Sequence, residues 1–157
     1  MIVRAIILRL QADLALYAKA ADSARAEATH EQSRPENKYD TRGLEASYLA
    51  RGQSRQAIET RTAIDQFEAL AQSLRDFSAG DAIAVGALVE LKCGKERTLY
   101  FLGPRAGGTE VKVDNAEILV LTPQSPLGQQ LLGCRAGEKL PLELGGMRRE
   151  HQVLSVQ

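Results

Sequence analysis

The chain has 157 residues, room for one ordinary domain or two small ones, with 44% hydrophobic and 25% charged residues as in most soluble proteins. A formal net charge of +0 removes the basic field that direct nucleic-acid binding normally needs, and 4% aromatic residues with no Trp leaves little for stacking on bases. No apolar run approaches a membrane span, and Arg4 and Arg9 interrupt the only stretch resembling a signal peptide, so a cytoplasmic protein is expected.

From Ile2 to about Phe77 the pattern is helical. Ile7, Leu10, Leu14, Tyr17, Ala21, Ala24 and Ala28 step alternately by three and four, a heptad seam. Ala46, Ala50, Gln53, Ala57, Thr60, Ile64, Phe67, Ala71 and Leu74 repeat that stepping. Two long antiparallel helices folding back at Ser33-Arg34-Pro35 follow from this, with Ala24 facing Ala46, Ala21 facing Ala50 and Ile7 facing Ile64. Small residues near the turn let the backbones approach closely. A 28-residue arm at about 1.5 Å per residue would carry its tip into solvent. Ser33 to Glu36 fits a capping box, with Pro35 in the first turn of the second arm. Gly43 and Gly52 mark either close helix contact or a bend.

Ser78-Ala79-Gly80-Asp81 is the expected boundary, giving a hairpin over 1–78 and a second domain over 82–157. Beyond it the period alternates. Val85, Ala87, Val89 and Leu91 share one side of a strand, and Arg97–Leu102 and Glu117–Thr122 form two more, separated by a Gly-rich loop over 105–109. Ser125 caps a short helix with Pro126 at its first position, and Gly133 closes it. Leu140, Leu142 and Leu144 alternate, and Gly145-Gly146 turns into Arg148–Val156. The class is α+β: a helical hairpin, then a small, mainly antiparallel sheet with one short helix. Cys93 and Cys134 stand apart from any CxxC and read as half-buried apolar residues; His30 and His151 read as surface residues.

This order of parts resembles the bacterial Gre transcript-cleavage factors. Ser125-Pro126-Leu127-Gly128, Leu131-Leu132-Gly133, Gly137-Glu138, Gly145-Gly146 and Glu150 with Val153-Leu154-Ser155-Val156 carry the resemblance, and Glu36-Asn37 matches at the tip. The resemblance implies an FKBP-like C-terminal domain that docks at the rim of the RNA polymerase secondary channel. It implies a hairpin that enters the channel and brings tip carboxylates to the polymerase's own magnesium, so that backtracked RNA is cut. The protein would be an accessory factor, a monomer with no cofactor of its own that meets nascent RNA only indirectly. A hard cation bound by carboxylates in two-metal phosphoryl chemistry fits that role.

The family tip reads D-x-x-E-N-x-E-Y, and here Ser33 and Tyr39 stand where two acids should be. Glu36 and Asp40, at i and i+4 on one helix face, are the substitute metal ligands and assisting catalytic groups. Asn37, Lys38 and Arg42 at the tip, with Ser125, Pro126, Leu127 and Gly128 in the second domain, are the expected partner contacts. Two outcomes follow for a polymerase factor: stimulated cleavage, or occupancy of the channel without it. A prolyl isomerase reading fails for want of an aromatic pocket. Beyond Ala82 only Tyr100 and Phe101 are aromatic, and adjacent strand residues face opposite ways. A coiled-coil interaction module unrelated to polymerase is the remaining alternative.

Overall fold

The computed structural model describes residues 1–29, 42–78, 80–144 and 146–157. Packing divides the chain into two units, one of Met1–Ile7 with Asp65–Gln157 and one of Leu8–Ile64. The base of both long helices thus belongs with the sheet, while the change of period falls later, after Ser78.

Helix α1 spans Ile2–Thr29 and α2 spans Arg42–Ser73. Mid-helix hydroxyls do not break α2, because Ser47, Ser54 and Thr62 return their protons to carbonyls one turn back. The seam is visible in burial: Ala21, Ala24, Ala46, Ala50, Ile64 and Phe67 are all buried.

Three expectations about the helices change. Below Leu10 the buried positions are Val3 and Ile6 rather than Ile7, a one-residue change of phase. The arms also pair in a different register, since Arg25 Nη2 donates to Ser54 Oγ at 2.9 Å. With Ala24 opposite Ala46, Ser54 would lie about 12 Å further along the helix. An arginine side chain spans only part of that distance, so the arms do not keep the expected register there. Finally, α2 stops at Ser73 and not near Phe77. The Asp81 carboxylate accepts the Ser78 N–H at 2.8 Å and pairs with Arg75 at 3.2 Å, and Arg75 lies 4.4 Å over the Phe77 ring. These contacts tie Arg75, Phe77 and Ser78 to Asp81 beyond the helix end.

Strands β1 (Leu88–Cys93), β2 (Glu96–Leu102), β3 (Glu110–Val113), β4 (Ala116–Leu121), β5 (Lys139–Leu144) and β6 (Met147–Val156) form one sheet in the order β3-β4-β2-β1-β6-β5. Among the described strands only β2 and β4 pair in parallel. The sequence pattern misses β3, a four-residue strand hairpinned to β4. Asp114 and Asn115 make that turn, both with positive φ (49° and 64°), which these short polar residues tolerate. Val85 is in a turn and 37% exposed, so the first strand begins later than its alternation implied.

Helix α3 (Pro126–Leu131) covers one face of the sheet. Leu127 and Leu131 join Val89, Leu91, Tyr100, Leu102, Leu142 and Val153 in one buried cluster. Phe101 points the other way, as the alternation requires, and meets Phe67 of α2 with ring centroids 6.4 Å apart. Phe67, expected within the helix seam, therefore also anchors the base of α2 to the second face of the sheet.

Candidate functional site

Glu36, Asn37, Lys38 and Asp40 lie outside the described residues, as do the Ser33 capping box, the reversal at Pro35, and His30. Arg42 is the first residue of α2, and Glu45 stands in that helix's first turn. The second group of expected contacts is described in full. Ser125, extended at φ −68° and ψ 149°, accepts the Gly128 N–H at 3.1 Å and donates its hydroxyl proton to the Thr122 carbonyl at 2.8 Å. A β-carbon on Gly128 would stand 1.9 Å from the Thr122 oxygen, so the turn admits only glycine. Leu127 is buried in the core. The Gly133 N–H donates to the Ile83 carbonyl and the Ile83 N–H to the Cys134 carbonyl, which pins the end of α3 to the segment leading into β1.

The motif therefore separates into two sets. Ser125, Leu127 and Gly128 build the helix and seat it. Pro126 is exposed, and so is Leu132 just past the helix end, at 49%. Pro126 and Leu132 are thus apolar residues of the motif that stand at the surface. Leu132 was absent from the expected contacts; its place as the second Leu of the Leu131-Leu132 pair was the available signal, since one side of a short helix must face solvent.

In the hairpin unit, a groove of about 480 Å³ between the arms is lined by Arg25, Ala28, Ser47, Ala50, Arg51 and Ser54. It brings two guanidinium-bearing residues from different arms to one place, which the seam pattern could not show. Arg25 is held there by Ser54 and by Asp22 at 3.7 Å. His151, expected on the surface, is buried at 7% exposure because it shares the core side of β6 with Val153. Both cysteines are free and half-buried. Among the described residues no three carboxylate, thiol or imidazole groups are already gathered as a metal site, and no described helix is long and apolar enough to cross a membrane.

No protein-family model matches the chain. The transcription inhibitor protein Gfh1 of Thermus thermophilus is 30% identical over 126 residues, covering 75% of this chain and 72% of that protein. The crystal structure of GreA factor homolog 1 (Gfh1) of Thermus thermophilus is 22% identical, with 96% of this chain and 94% of that one covered and a TM-score of 0.39. The elongation factor GreA/GreB from Nitrosomonas europaea is 16% identical over 73% of this chain and 94% of its own, with a TM-score of 0.38.

Proposed function

Because the chain belongs to the family of Gre factors and Gfh1, we propose that it is an accessory factor that binds RNA polymerase and places its hairpin in the secondary channel. The observation that carries this reading is the 30% identity to a transcription inhibitor across 126 residues. In this reading the exposed Pro126 and Leu132 dock on the polymerase. Asn37, Lys38 and Arg42 touch the channel. Glu36 and Asp40 approach the magnesium that the polymerase holds, and the factor modulates cleavage of backtracked RNA. It works in the cytoplasm, as a monomer, without chemistry of its own.

Two observations favour occupancy without stimulated cleavage. The relative is named as an inhibitor. Ser33 and Tyr39 replace two acids of the family tip, and a neutral hydroxyl is a poorer ligand for a hard cation than a carboxylate. The experiment adds the protein to stalled, backtracked polymerase and follows both 3′ RNA products and elongation rate. Occupancy predicts slowed elongation and no short products, with the slowing relieved in Glu36→Ala/Asp40→Ala. Short products that vanish in that double variant would establish cleavage stimulation instead. Absence of co-migration with core polymerase on a sizing column would remove both readings.

A further inference from the structure

Helix α2 buries Ala46 and Ala50 in the seam and carries a second stripe turned away from them. Leu44, Tyr48 and Ile58 are 56%, 64% and 68% exposed. Arg51 and Arg55 lie between them in sequence and are exposed as well. The five positions step by four, three, four and three. At about 100° per residue they fall within roughly 80° of the helix circumference, along about 21 Å of its length. One exposed leucine on a helix needs no explanation; three large apolar side chains aligned on one face do. Tyrosine and arginine are also the residue types that carry binding energy at protein interfaces.

The charges on this stripe select its occupant. Arg51 and Arg55 are cations, and the five positions include no anion. Glu59, at the edge, accepts from Arg55 Nε at 3.0 Å, yet the Arg55 side chain remains 80% exposed. A second copy of the chain is a poor match. Antiparallel packing of two α2 helices matches Leu44 with Ile58, which sets Arg51 against its own counterpart, or Tyr48 with Ile58, which sets Arg51 against Arg55. Parallel packing sets each arginine against itself. Like charges brought together in an interface oppose association. RNA is a poor match too, because Leu44 and Ile58 offer nothing to phosphates and Tyr48 is the stripe's one stacking surface.

We propose that this face of α2 is a docking surface for an acidic, apolar protein surface. Leu44, Tyr48 and Ile58 bury against apolar side chains of the partner, and Arg51 and Arg55 meet carboxylates set between them. Resting on the function proposed above, the partner is RNA polymerase, and the flank of the hairpin adds to the contacts of its tip and of α3.

The test measures binding of the full chain to core RNA polymerase free of nucleic acid, by fluorescence anisotropy. Leu44→Ala/Tyr48→Ala/Ile58→Ala should weaken binding at least about tenfold. The three side chains are exposed and alanine is the best helix former, so circular dichroism and melting should match the unmodified protein. Arg51→Glu is the second variant. It places an acid four residues before Arg55, an order that supports a helix, while reversing the charge offered to the partner. It should also weaken binding at least about tenfold, and the deficit should shrink as salt is raised. Unchanged affinity in both variants, with the unmodified protein bound, overturns this surface and leaves the proposed function standing. No binding by the unmodified protein overturns both. A dimer of the unmodified protein that the triple variant abolishes would assign the face to a second copy, and single-stranded RNA binding lost in Arg51→Glu would assign it to RNA; either result overturns the proposal.

Discussion

The ring tip of Phe67 stands 2.7 Å from the point a β-carbon would occupy on Gly103. Gly103 is thus empty space that the ring needs, and Val120 Cγ1 crowds the same point at 3.0 Å. Phe67 is fully buried and adds a tilted contact with Phe101. Gly103→Ala overpacks this joint and should cost about 1–3 kcal/mol. Phe67→Ala leaves a cavity and should cost about 3–5 kcal/mol. Shortening the ring removes the clash, so Gly103→Ala combined with Phe67→Leu should cost less than the sum of the two single changes. Denaturant titration of the four proteins measures this; strict additivity would mean that Gly103 and Phe67 are not coupled.

Gly52 makes the opposite prediction. It lies inside α2, and a β-carbon there would meet nothing within 4 Å. It is therefore not a close-contact glycine, and α2 runs through it as one helix. Gly52→Ala should stabilise the protein by about 0.5–1 kcal/mol, through lower backbone entropy in the unfolded chain. Amide exchange in α2 should slow accordingly. Faster exchange would mean that the helix needs the glycine.

How much of this was legible follows from what each pattern encodes. Heptad stepping located the seam residues Ala21, Ala24, Ala46, Ala50 and Ile64 because burial on a helix repeats with its turn. It could not fix the register between arms, because an alanine accepts another alanine at any heptad offset. The run Ala5-Ile6-Ile7-Leu8 is apolar at every position, so it carries no phase, and Ile6 rather than Ile7 is the buried one. Ser125-Pro126 and Gly133 encode their helix through local hydrogen bonds and backbone angles, and its limits were readable. Strand β3 is short and half charged, yet Asp114-Asn115 between Val113 and Ala116 was a turn signal in plain view. His151 needed the phase of β6, which its charged first half obscures.

The Ser125–Gly128 turn separates folding from docking. Ser125→Ala removes a cap and should cost about 1 kcal/mol. Gly128→Ala drives a methyl group into the Thr122 carbonyl and should cost about 3 kcal/mol. Both losses should appear in the isolated protein by calorimetry. A stable Gly128→Ala that retains Leu127 burial would contradict the turn described above.

Asp81 links linker geometry to pH. The Ser78 N–H and then the Arg75 guanidinium hold its carboxyl below the ordinary carboxylate range, against the opposing pull of desolvation. A depressed folded-state value stabilises the protein above the unfolded-state value near pH 4, and that contribution is lost as pH falls through the folded value. Asp81→Asn should therefore lower stability at neutral pH and flatten the acid limb of the stability profile. The difference between the two proteins should shrink below about pH 4. A constant difference across that range would show that Asp81 acts through shape alone.

Pro126 and Leu132 should affect binding while leaving the fold intact. Leu132 is 49% exposed, and Pro126 is exposed at the first turn of α3, where its ring supplies no backbone hydrogen bond that a replacement must reproduce. Leu132→Asp places a charge on a surface that the proposed function requires to be desolvated, and an unpaired charge at the centre of an interface typically costs 2 kcal/mol or more, roughly 30-fold in affinity. Co-migration with core RNA polymerase should be lost in Leu132→Asp, while its melting temperature stays within about 2 °C of the unmodified protein. Pro126→Ala should weaken binding by a smaller factor. If Leu132→Asp binds polymerase normally, the docking surface is elsewhere. Failure only of the Glu36→Ala/Asp40→Ala variant to alter elongation would instead implicate the tip. The two variants therefore test the two proposed contact regions separately.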